Sequence, residues 1–241
     1  MRTSINPFTY FVLSPIYIIN FGLCCYFMYG AGLKNFAYLT SWTLLMNSTY
    51  LLINLIADTF FFFSKKSTLE FLHIFSREKI APVVNSYTYM VFISFWGMVC
   101  MGPSVMNFPT DIQSIINNIY LHGLITVFVI LDLFFHHHEN SKFNWVFLVC
   151  IFIIFFLYGV SIIICKNFYN LIPYPFMKGI SFALLLLYGS ILFLFVILGY
   201  FIHIGFIALK YKCFVKVDNI GSVEDNIDRT VTNAPLVTDK V

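Results

Sequence analysis

The chain has 241 residues, of which 60% are hydrophobic and 10% charged, with a formal net charge of +3. A soluble domain carries about 25% charged residues because its surface faces water, so this composition excludes a soluble globular protein and selects an integral membrane protein. The cations stand beside apolar segments rather than in a basic stripe, which leaves nucleic-acid binding unsupported. The six Cys show neither CxxC nor loop-framework spacing, so zinc and a disulfide scaffold lack support too.

A helix needs roughly 20 mainly apolar residues to cross the hydrocarbon core. Six stretches qualify: Pro7 to Tyr29, Phe36 to Phe63, Pro82 to Gly102, Ile116 to Phe135, Phe143 to Cys165 and Lys178 to Leu209. The first has a longer apolar run than a signal peptide and reads as a retained span. The expected fold is therefore all-α, a polytopic bundle of six transmembrane helices over residues 1–209. Residues 210–241 are polar and aperiodic, the pattern of a disordered tail. With six spans, Lys65, Lys66, Arg77, Lys79 and Lys142 share a side with Arg2, Lys210, Lys212 and Lys216. The other side carries only Lys34, Lys166 and Lys178, and the loop from Pro103 to Ser114 carries none. The excess of Lys and Arg puts both termini in the cytosol. An endomembrane such as the endoplasmic reticulum and the plasma membrane both fit, and Cys213 among its lysines is either a palmitoylation site or an unmodified thiol. Oligomeric state is not readable.

Polar side chains inside such spans face the bundle interior, a cavity or a partner. In the second span, Thr40, Thr43, Asn47, Tyr50, Asn54 and Asp58 follow one another at steps of three and four residues, a continuous stripe on one helical face. The Asn47-Ser48-Thr49 sequon is buried within it and makes a poor glycosylation acceptor. In the fourth span, Asn118, His122, Ile125, Val129, Asp132 and His136 form a second inward edge by the same stepping. Both spans enter from the non-cytosolic side, and at about 1.5 Å per residue Thr40 and His122 lie at matching depth. A hydroxyl becomes a nucleophile when a neighbouring imidazole takes its proton. The bland alternative has Asn118 and His122 simply hydrogen-bonded to a neighbouring helix. Asp58 and Asp132, at the cytosolic ends of their spans, are expected to meet water, Lys65 or Lys66, and His203 to partner another helix. His136-His137-His138-Glu139, at the cytosolic end of the fourth span, is a conceivable metal cluster, but three adjacent His diverge on a helix and cannot all ligate one ion, which favours interfacial solvation. No GxSxG elbow, glycine-rich phosphate loop or HExxH occurs, and no motif asks for a cofactor or metal.

At these residues the sequence resembles the androgen-induced protein (FAR-17a) family. Phe36-Ala37-Tyr38-Leu39-Thr40 is similar to the aromatic-Leu-Thr start of that family's second span, and Asp58 stands where the family has Asp. His122 aligns with its catalytic His, with Asn118 before it, Asp132 where Glu is commoner, and His137-His138 after it. Tyr174-Pro175-Phe176 resembles the Tyr-Pro-Phe before the last span, and the likeness runs from about Thr40 to Tyr200. The sequence departs at Ile119-Tyr120, where the family often has His-Gly, and in lacking a Pro between Ile125 and Leu131.

The resemblance implies a six-span hydrolase of fatty acid esters of hydroxy fatty acids, with Thr40 as nucleophile and His122 as general base. Asn118 would orient the imidazole or donate to the oxyanion, with Thr43 and Asn47 as further substrate-binding or orienting residues. The implied partners are a lipid ester and the membrane lipids, with no cofactor. Two other classes stay open on the residues alone: a small transporter or channel lined by the stripe from Thr40 to Asp58, and a non-catalytic membrane scaffold.

Overall fold

A computed structural model describes residues 7–31, 38–64, 71–72, 74–101, 111–135, 143–171, 179 and 181–212. These form α1 (Pro7–Ala31), α2 (Leu39–Ser64), α3 (Ala81–Met101), α4 (Ile112–Ile119), α5 (Ile125–Phe135), α6 (Trp145–Tyr169) and α7 (Phe182–Lys210). Two π turns interrupt the α geometry. One, Ser76–Ile80, leads into α3; the other, Tyr120–Leu124, joins α4 to α5 in a single rod.

Five of the resulting rods are long and apolar enough to cross a membrane, which makes this a multi-pass membrane protein. The expected sixth, α2, has the length at 26 residues but is not among them. Its polar stripe is the reason: Thr43, Asn47, Tyr50, Asn54 and Asp58 are all buried, while Leu45, Ile56, Phe60 and Phe63 face outward.

α3 is the centre of the bundle, buried continuously from Ala81 to Val91. Its closest neighbour is α7, and at their crossing a Cβ on Gly199 would collide with the Ser86 backbone. Small residues let two helices approach closely where water-driven association is absent. Beside that crossing Asn85 Nδ2 and His203 Nδ1 are 3.2 Å apart, so His203 does partner another helix. The Tyr87 hydroxyl donates to the Ile151 carbonyl of α6 at 2.6 Å. On the other side α1 meets α2 through Asn20 and Ser48, 3.1 Å apart, and meets the π turn through the Tyr120 hydroxyl on Asn20 Oδ1 at 3.1 Å.

The helix ends are chemically specified. Asp111, Asn144 and Ser181 accept from Ser114 N, Val146 N and Leu184 N as N-caps. The hydrogen bonds from Ser114 hold the exposed Asp111 carboxyl below the usual carboxylate range. Asn170 ends α6 in the left-handed region at φ 49°. The cap at Asp111 starts the fourth rod one turn before the expected Ile116 and shortens the loop read from Pro103 to Ser114.

The largest correction concerns the charges. Asp58 and Asp132 are buried rather than exposed to water. Asp58 accepts two hydrogen bonds from Arg77, at 3.0 and 2.8 Å, and both residues are buried. Asp132, also buried, accepts from the hydroxyls of Tyr17 and Tyr50. Arg77 thereby leaves the loop cations: hydropathy starts the third span after Arg77 and Lys79, whereas a neutralising carboxylate lets the helical rod begin before them. The tail beyond residue 212, with Cys213, lies outside the described residues, as do Lys65, Lys66, His136 to Glu139 and Tyr174-Pro175-Phe176.

Candidate active site

The two ends of α2 are tied to the α3 rod at fixed register. Asn47 Nδ2 donates to Thr88 Oγ1 at 2.6 Å, and eleven residues further along α2 Asp58 meets Arg77, eleven residues back along the antiparallel rod. Seven residues the other way from Asn47 is Thr40, and seven from Thr88 is Phe95. Phe95 lies face to face with the His122 ring, with centroids 3.7 Å apart and planes within 2°. Two helix contacts and one ring stack thus bring Thr40 and His122 to the same level, and α2 also packs directly on the π turn that carries His122.

Thr40 lies in the first turn of α2, half-buried, and among the described residues no side chain holds its hydroxyl. His122 is half-buried as a residue, but its Nδ1 is fully buried and has no hydrogen-bond partner among the described residues. Its backbone carbonyl accepts from the Trp96 indole N–H at 3.1 Å. No hydrogen bond joins Thr40 to His122 among the described residues.

The other residues expected near them are engaged locally. Thr43 donates to the Leu39 carbonyl at 3.0 Å, and Asn47 Nδ2 reaches the Thr43 carbonyl at 2.9 Å as well as Thr88. Asn47 Oδ1 is buried without a partner among the described residues. Asn118 Nδ2 donates back to the Ser114 carbonyl at 2.9 Å, and no hydrogen bond joins it to the imidazole.

On the far side of α3, a cavity of about 400 Å³ opens between α6 and α7, lined by Phe152, Phe155, Tyr158, Gly159, Gly189 and Phe193 among others. Its volume falls in the range of ligand pockets, roughly 300 to 1,000 Å³. Eight residues along α3 from Tyr87 is Phe95, and eight along the parallel α6 from Ile151 is Gly159, so the cavity shares the level of His122. Tyr158 in its wall contacts Trp42, two residues from Thr40, with ring centroids 6.2 Å apart.

Among the described residues no three His, Cys, Asp or Glu converge as metal ligands. The sequence reading missed Phe95 and Trp96. Each is an ordinary aromatic in an apolar span, and their partner sits on a π turn whose extra residue leaves no trace in hydrophobic period.

The model of the family described as FAR-17a/AIG1-like protein matches residues 8–207, most of the chain. No curated protein and no solved structure matches it.

Proposed function

The chain belongs to the FAR-17a/AIG1-like family, and on that premise we propose that it is an intramembrane carboxylic ester hydrolase cleaving fatty acid esters of hydroxy fatty acids. Thr40 is the nucleophile and His122 its general base. The observation that carries this reading is the shared level of an uncommitted Thr40 hydroxyl and an imidazole whose buried Nδ1 lacks a partner among the described residues. A buried polar atom without a partner calls for an explanation, and a base awaiting substrate is one. The absence of a direct hydrogen bond between the two side chains is compatible with this, because catalytic hydrogen bonds are often long or open without substrate.

In the mechanism, His122 accepts the Thr40 hydroxyl proton as Oγ1 attacks the ester carbonyl. Collapse of the tetrahedral adduct breaks the bond to the alcohol oxygen, which takes the proton from His122 and leaves as the hydroxy fatty acid. A water then gives its proton to His122 and attacks the acyl-threonine, releasing the fatty acid and restoring the Thr40 hydroxyl. The cavity between α6 and α7, apolar and at the level of Thr40, supports an acyl-chain subsite. We assign α2 as a sixth membrane crossing, shielded by its neighbours, with both termini cytosolic and the site toward the opposite face. A transport path along the stripe fits less well, because Asp58 and Asn54 are tied to Arg77 and Ser76.

The test is covalent labelling with a fluorophosphonate probe on the full chain in proteoliposomes. Wild type labels, whereas Thr40→Ala and His122→Ala do not. Unchanged labelling of Thr40→Ala would remove Thr40 as the nucleophile.

A further inference from the structure

A π turn breaks the regular i→i−4 ladder, and such bulges occur often at functional sites. Here the break spans Tyr120–Leu124 with His122 at its middle. Two consecutive residues of α3 close on it. The Trp96 indole N–H donates to the His122 carbonyl at 3.1 Å. The same indole lies over Gly123, where a Cβ would stand 3.7 Å from Trp96 Cζ2. Phe95, itself buried and set edge-to-face on Trp96, covers the imidazole face. The backbone and the ring of His122 are therefore gripped from one neighbouring helix. With the ring face covered, the imidazole keeps a fixed plane.

We infer that Trp96 and Phe95 are positioning residues, which fix the π turn and hold the imidazole of His122 in the plane it needs to reach the Thr40 hydroxyl. The inference rests on the hydrolase reading above. Trp96 supplies a directional bond, and Phe95 supplies the flat wall. Neither touches the reacting atoms; both act through His122. Gly123 fits the arrangement because the indole lies over it, and a side chain much larger than methyl would press on that ring.

The experiment follows fluorophosphonate labelling of full-length protein in proteoliposomes, reading rate and end point separately, beside hydrolysis of a fatty acid ester of a hydroxy fatty acid. Trp96→Phe keeps an aromatic ring and removes the N–H. The expected result is a labelling rate and a kcat lowered about ten-fold, with KM within two-fold of wild type and the labelled end point unchanged. A merely structural role would lower the end point and leave the rate of the surviving fraction alone, and that result overturns the inference. So does an unchanged rate. If both rate and end point fall, Trp96→His, which retains a ring N–H donor, decides: recovery of the rate supports the positioning role, and no recovery overturns it. Should wild type and His122→Ala label at equal rates, the hydrolase reading fails instead, an outcome distinct from any given by Trp96.

Discussion

The two ends of the bundle use the same kind of residues to opposite effect. At the Asp132 end, the carboxylates and their donors are matched, Asp58 with Arg77 and Asp132 with two tyrosines, and Asn54 Oδ1 meets Ser76 and Lys210 Nζ the Leu133 carbonyl at 2.8 Å, while Asn54 Nδ2 and the Tyr89 hydroxyl are buried without a hydrogen-bond partner among the described residues. At the His122 end, a threonine hydroxyl and a buried imidazole nitrogen have no hydrogen-bond partner among the described residues. Each end carries a π turn with a basic residue, Arg77 in one and His122 in the other. In a low-dielectric interior, matched groups rigidify and unmatched groups are costly. On the hydrolase reading proposed above, the comparison separates a structural lock from a site that awaits a substrate.

The sharpest way to break this division is to exchange the expected consequences of mutation. Thr40→Ala or His122→Ala should lower the rate of ester hydrolysis by about 10⁴-fold, roughly 5 kcal/mol of transition-state stabilisation, while thermal unfolding in detergent moves little. Next in size, Asp58→Ala alone should cost the fold about 3 to 5 kcal/mol, because the buried Arg77 guanidinium loses the carboxylate that accepts two of its hydrogen bonds. Joint replacement by Asp58→Leu and Arg77→Met should recover most of that loss. Folded yield and melting temperature read both. A stable Asp58→Ala protein without hydrolysis would move the active region to the wrong end.

Much of this division was legible in the sequence, for a physical reason: lipid tolerates so few polar side chains that their spacing reports which face turns inward. The stripe from Thr43 to Asp58 is buried as its steps of three and four require, and so is the edge from Ile125 to Asp132. What stayed hidden was pairing. Asp58 looked solvated because its partner Arg77 lies in a charged stretch that hydropathy assigns to a loop. The stack of Phe95 on His122 depends on the relative register of two rods, which no single helix's periodicity contains. The lower apolarity of α2 was visible too, in the same stripe that the six-span count passed over.

Smaller effects sharpen the lock itself. Tyr17→Phe and Tyr50→Phe each remove a donor to the Asp132 carboxylate, a loss of about 1.5 to 3 kcal/mol for a hydrogen bond to a charged group. Because both tyrosines serve one carboxylate, the double variant should depart from the sum of the singles. Melting temperatures of the three variants measure that coupling. Additive losses would show that the tyrosines act independently, and the lock would be two separate contacts rather than one network.

The weakest expected effect probes whether the unmatched end extends into the neighbouring cavity. Gly159 sits in its wall, and a Cβ built there meets nothing within 4 Å. A Cβ at this position is therefore tolerated, and Gly159→Leu directs a side chain toward room an acyl chain would occupy. Lost ground-state and transition-state contacts of about 1 kcal/mol should appear as a several-fold rise in KM with kcat unchanged, since the substituted group is remote from Thr40 and His122. A series of esters with acyl chains of decreasing length turns this into a direct measurement: the KM penalty should shrink as the chain shortens and vanish when it no longer reaches Gly159. A penalty independent of chain length would assign the cavity to bilayer lipid, and the reactive end would then consist of the Thr40 and His122 level alone.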